Sequence, residues 1–135
     1  MKLRRNLKFR TGVALAGVLA LALIACRSNP VYNVTNTPVM ASTRSYSTSD
    51  VRSAILQAGA SLGWQMKEVR PGLIVATLYV RDHMAQVDIP YDRKTYSIVY
   101  RDSQNLGYDG ANIHSNYNGW VQRLSAAINS RISVL

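Results

Sequence analysis

A chain of 135 residues with a formal net charge of +9 and one cysteine can build one small hydrophobic core but not two. The single thiol excludes an internal disulfide, and one cysteine with two histidines gives no metal-ligand spacing of the HxH or HExxH kind. The positive charge is unevenly placed: Lys2, Arg4, Arg5, Lys8 and Arg10 fall in the first ten residues, with no acid among them.

Residues 11–25, TGVALAGVLALALIA, carry no charge. A basic start, a short apolar run and small residues at its end are the three parts of a secretory signal. The run is shorter than the roughly 20 residues a bilayer-spanning helix needs, and Arg4-Arg5 lacks the rest of a twin-arginine signal. At its end, Leu23-Ile24-Ala25-Cys26 resembles the lipobox of bacterial lipoproteins. The resemblance covers residues 1–26. It implies that the Cys26 sulfur receives a diacylglycerol group, that the bond before Cys26 is cut, and that the new amino terminus is open to N-acylation. No other cofactor is expected. Two or more acyl chains make a stable anchor where one holds only marginally. By the same resemblance, Arg27 stands where an aspartate marks inner-membrane retention. The periplasmic face of the outer membrane is therefore favoured, with the inner membrane as the alternative.

Removing residues 1–25 takes five of the sixteen basic residues and none of the seven acids, leaving 110 residues at +4 instead of +9. That balance, with export, argues against a nucleic-acid partner; the membrane is reached through the lipid. Next comes RSNPVYNVTNTPVMASTRSYSTSD, rich in Ser, Thr and Asn and broken by Pro30 and Pro38. Residues 26–46 read as a flexible tether, although Val31-Tyr32 could pair with a sheet edge.

The folded domain is expected over 47–135. Val51, Ala54, Ile55, Ala58 and Leu62 recur at helical spacing, with Ser47 or Ser49 as cap, Asp50 at the positive end and Gly63 as terminator. The period then shortens to two. WQMKEV, LIVATLYV, HMAQVDIPY and TYSIVYR are separated by RPG, RD and DRK, a pattern of four strands joined by tight turns and so antiparallel. Pro90 belongs where a ladder bond is missing. After the loop DSQNLGYDGANIH, a second helix carries Tyr117, Val121, Leu124, Ile128, Ile132 and Leu135 on one stripe, with Ser115 as its cap. Gly119 costs that helix about 1 kcal/mol relative to alanine, which suggests that something packs close to it. The order predicts an α+β two-layer sandwich: helix, four-stranded antiparallel meander, helix, with both helices on one face of the sheet.

Catalytic groupings are sparse. A triad would have to combine Ser103 or Ser115 with His114 and an aspartate, and no GxSxG elbow is present. The acids Glu68, Asp82, Asp88, Asp92, Asp102 and Asp109 fall mostly in turn-like sequence, where acids serve local hydrogen bonds. No metal ligand set is expected. The densest stretch is residues 100–120, with Tyr100, Tyr108, Tyr117 and Trp120 beside Asn105, Asn112, His114, Asn116 and Asn118. Rings next to amides can bind glycans or peptides; the same residues can serve turns, helix entry and a roof over the core. The domain resembles small bacterial lipoproteins of unassigned activity, which implies no site residues. The expected function is a non-catalytic, lipid-anchored envelope protein whose domain binds an envelope protein complex or peptidoglycan. The alternative is a small envelope hydrolase or metal-dependent enzyme using His114 or His83.

Overall fold

A computed structural model describes residues 27–135; the expected signal segment and Cys26 lie outside the described residues. In chain order the elements are β1 (Ser28–Pro30), β2 (Val34–Pro38), α1 (Thr48–Ser61), β3 (Gln65–Arg70), β4 (Leu73–Val80), β5 (His83–Pro90), β6 (Thr95–Gln104), β7 (Asn112–His114) and α2 (Ser115–Ile132). The fold is α+β, as the order of periods implies.

Helix α1 starts at a capping box. The Ser47 hydroxyl accepts from the Asp50 amide while the Asp50 carboxylate accepts from the Ser47 amide, so two donors that the helix cannot satisfy are paired. Val51, Ala54, Ile55 and Ala58 are buried as their spacing requires. Leu62 departs from the expected stripe: it is the C-cap, and 40% of it remains exposed. Gly63 follows at φ +86, a left-handed position that ends the helix. The cap of α2 is His114 instead of Ser115, its Nδ1 accepting from the Asn116 amide at 3.1 Å.

The main sheet has five antiparallel strands in the order β2-β6-β5-β4-β3. Its inner face is read directly from register: Ile74 opposes Ile89, Ala76 opposes Val87, and Leu78 opposes Ala85. These residues share one core with Val51 and Ile55 of α1 and Val121, Leu124 and Ile128 of α2. On the opposite face Tyr79 and Val99 are exposed, while Val75 and Met84 are buried outside the shared core. Both helices therefore cover one side. A bulge sets the far end of β6: Gln86 opposes Asp102 while Val87 opposes Tyr100, leaving Arg101 as the extra residue. At Pro90 the missing donor is replaced one residue on, where the Tyr91 amide donates to the Gly72 carbonyl at 2.9 Å.

The fifth strand comes from the segment read as a tether. β2 pairs with β6, Val34 is buried in the core, and β1 pairs with β7 as a separate two-stranded ladder. The connector after β2 is tied down as well. Val39 donates to the Lys94 carbonyl at 2.8 Å. Arg93 stacks on Tyr46 and donates to the carbonyls of Tyr46 and Arg44 at 3.0 and 2.7 Å. Residues 27–46 are thus part of the fold. Short polar strands carry little hydrophobic signal, and β2 occupies a sheet edge where prolines are tolerated. Among the described residues no close packing accounts for Gly119, since a Cβ there meets nothing within 4 Å. Among the described residues, no helix is long and apolar enough to cross a membrane.

Candidate functional site

The residues singled out between 83 and 120 converge on one end of the sheet. The turn from β4 to β5 passes through Arg81 at φ +57, and Asn105 beyond β6 is also left-handed, at φ +56. Asparagine tolerates that conformation better than most side chains. Its amide nitrogen donates to the Asp82 carbonyl at 2.7 Å, clipping the two loops together. Its own carbonyl lies 2.7 Å from His83 Nδ1. A carbonyl can only accept, so Nδ1 carries the proton. His83 Nε2 lies 3.5 Å from the Asp82 carboxylate.

His83 and His114 are stacked at 6.5 Å with 25° between their planes, and Trp120 lies 6.5 Å from His83. The histidines of the enzymatic alternative are therefore neighbours, but each Nδ1 is already engaged with backbone. Only the two Nε2 atoms are left for chemistry. Among the described residues, no group of three His, Cys, Asp or Glu side chains is arranged to hold a metal ion. The Ser103 hydroxyl is bonded to Tyr100 Oη at 2.8 Å.

The predicted binding surface divides into three parts. Tyr100, Tyr108 and Tyr117 form an aromatic stack, with Tyr100 and Tyr108 4.1 Å apart and Tyr100 edge-on to Tyr117 at 5.7 Å. Tyr117 is fully buried and its hydroxyl has no partner among the described residues. Burial, with the nearby Tyr100 and Tyr108 phenols, pushes its pKa far above the ordinary tyrosine range. Burial also raises Tyr100, partly offset by its bond to Ser103. A second part is structural. Asn118 accepts from the Tyr32 amide and donates to the Pro30 carbonyl, both at 2.9 Å. Asn112 lies in the ladder opposite Pro30, and its amide donates to the Asp109 carboxylate at 2.7 Å. Asn116, exposed on the first turn of α2, lends its backbone to the His114 cap.

Trp120 belongs to the third part, an open cleft of about 200 Å³ lined by Leu62, Trp64, Leu78, Val80, Trp120 and Arg123. Its location follows from three element ends. The C-cap of α1 contributes Leu62, the entry to β3 contributes Trp64, and the last residues of β4 contribute Leu78 and Val80. α2 crosses above them with Trp120 and Arg123 one turn apart. Trp64 and Leu78 are buried beneath the cleft; Leu62, Val80 and Trp120 give its accessible apolar surface, and the exposed Arg123 guanidinium supplies charge at the edge. Such a surface suits a ligand group with an apolar body and a polar or anionic end. Of its residues only Trp120 was marked by sequence. Trp64, directly after the helix-ending glycine, was the available signal. Comparison with family models, curated proteins and solved structures finds no match.

Proposed function

We propose that this is a lipid-anchored protein of the bacterial cell envelope whose small domain is non-catalytic and binds another envelope component, a protein or peptidoglycan. The observation that carries the reading is the sequence Leu23-Ile24-Ala25-Cys26 at the end of a charged-then-apolar segment, one residue before the folded domain. Acylation of Cys26 would hold the domain on a membrane, with the outer membrane's periplasmic face favoured over the inner membrane. The cleft over Trp64 supports a binding role, because it sets the half-buried Trp120 indole, aliphatic side chains and one guanidinium in a single concave surface.

Growth with labelled palmitate tests the anchor: the wild type takes the label, and Cys26→Ala loses it and stays as the heavier precursor. A label that persists in Cys26→Ala refutes lipidation at this residue. Photo-crosslinkers at Leu62, Arg123 and Asn116 test the binding role in cells. Adducts above background at the two cleft positions, and fewer at a site such as Ser130, are expected. Equal yields at all positions would remove the cleft from the proposal.

A further inference from the structure

A lipoprotein domain usually gains freedom from the chain that joins it to its lipid, and here that chain is used up by the fold. The Arg27 carbonyl accepts from the Ser115 amide at 2.7 Å, at the first residue of α2. Ser28, Asn29 and Pro30 pair with His114, Ile113 and Asn112. The Val31 amide donates to the Ala111 carbonyl at 3.0 Å, and Asn118 grips Pro30 and Tyr32. Backbone and side-chain bonds therefore hold the chain from Arg27 to Tyr32 against the start of α2.

Resting on the reading of Cys26 as lipidated, we propose that the domain is seated directly on the bilayer. The surface around the start of α2 lies in the headgroup layer, and phospholipid headgroups are its partner. Lengths decide the point. A free linker of 20 residues has a root-mean-square span of about 25 Å, whereas a single residue reaches at most about 3.6 Å. The headgroup region of one leaflet is about 5 to 8 Å deep. Twenty free residues would clear it, and one does not.

The surface at this end has the character of an interface layer. Tyr32 and Tyr108 are 41% and 42% exposed. Tyr32 is held by Asn118, and Tyr108 stacks on Tyr100, whose ring meets Tyr117 in the first turn of α2. Tyrosines concentrate at headgroup depth because the ring is apolar and the hydroxyl is wet. Arg27 and the Arg81 turn supply cations, the latter linked to the same end through Asn105, His83 and His114. The exposed Asp82 and Asp109 offset them, so the tyrosines rather than net charge carry the likeness. The opposite end lies about 27 Å away along the 18 residues of α2. There Leu135 accepts from Thr43, so Ser45 faces away from the membrane.

The test uses the full, processed chain in vesicles of phosphatidylethanolamine and phosphatidylglycerol that carry a headgroup-attached nitroxide. Cys26 is the sole natural cysteine and is blocked by lipid in this reading, so Tyr108→Cys, Asn116→Cys and Ser45→Cys each carry one fluorophore. Quenching at 108 and 116 should exceed that at 45 several-fold. Inserting eight Gly and Ser residues between Cys26 and Arg27 should bring the ratio towards one. Asn116 is exposed and lends no side-chain bond to the fold, so its result stands if Tyr108→Cys disturbs packing. Equal quenching at all three sites in a palmitate-labelled protein overturns the seating, as does an insertion that leaves the ratio unchanged. Loss of palmitate label and of vesicle binding would instead refute the anchor itself.

Discussion

Two buried tyrosines make the same substitution change stability in opposite directions. Tyr117 is fully buried, with no partner for its hydroxyl among the described residues. Tyr96 is 1% exposed; its hydroxyl donates to Asn129 Oδ1 at 2.7 Å and lies 3.0 Å from the Ser125 hydroxyl. Replacing Tyr117 by Phe keeps the ring against Tyr100 and removes only the oxygen. An unmet buried hydroxyl costs about 1 to 3 kcal/mol, and the small void left behind returns part of that gain. Tyr117→Phe should therefore stabilise the domain by about 1 kcal/mol, or roughly 4 °C in Tm for a chain of this size. Tyr96→Phe removes a partner from Asn129 and Ser125 and should cost about 1 to 3 kcal/mol.

Urea unfolding of residues 27–135, followed by the fluorescence of Trp64 and Trp120, reads both changes. If the slope with denaturant stays constant, a shift in midpoint is a shift in stability. A Tyr117→Phe protein weakened by 1 kcal/mol or more at unchanged slope would refute the reasoning. It would mean that the hydroxyl is satisfied in the folded protein, with a buried water as the obvious partner.

The two helical glycines should also separate. Gly119→Ala adds a Cβ in open space and should gain up to about 1 kcal/mol, whereas the Cβ of Gly59→Ala lands on the Met66 side chain and should lower the urea midpoint. His114→Ala removes the cap of α2, at a cost of about 1 kcal/mol in the same unfolding experiment. Asp50, Asp92 and Asp109 each accept backbone amides, which hold their carboxyls below the ordinary value of 3.8. The stability they confer is present above pH 3.8 and is lost as pH falls through their lower folded values; Asp92→Asn and Asp109→Asn should flatten that loss in a pH series of urea midpoints. Tyr96 and Tyr117 are raised above 10.0, chiefly by burial. Their folded forms hold protons that the unfolded chain releases, so stability should fall as pH rises beyond 10.

Most of the central fold was legible because its periods are clean. LIVATLYV became β4 at its expected bounds, and HMAQVDIPY became β5 one residue short, ending at Pro90, since alternation and a two-residue turn leave one register. The stripe of α2 buried Tyr117, Val121, Leu124, Ile128 and Ile132 as spaced, while Leu135, expected on the same stripe, lies beyond the helix end and is only partly buried. Two helix-end details were not legible. Ser115 has the preferred chemistry of a cap, but His114 takes that place because β7 brings its backbone to the helix entry already extended. Leu62 continues the apolar stripe in sequence, but the helix ends at Ser61 and Leu62 turns outward to the cleft.

The candidate site was legible in part for a different reason. Asparagines in polar sequence look alike whether they bind ligands or hold loops, and only their partners tell them apart. Asn105 and Asn118 are occupied by backbone from segments far away in the chain. The cleft joins Trp64 to Trp120 and Arg123 across 56 residues and more, a pairing set by where α1 ends and α2 crosses and not by any local pattern. The segment before α1 misleads through composition. Ser, Thr, Asn and Pro suit a solvated linker, and they also suit a short edge strand whose far side faces water. Val34 and Val39 resolve the choice, because each is buried where a linker would leave it in solvent. With that choice the slack between Cys26 and the domain shrinks from some twenty residues to a single peptide unit. Under the proposal that Cys26 carries lipid, a domain joined so closely to it would have its orientation set by β1, β7 and the start of α2. Weakening that ladder, by Asn118→Ala for example, should under the same proposal loosen the domain from the bilayer before it unfolds the core.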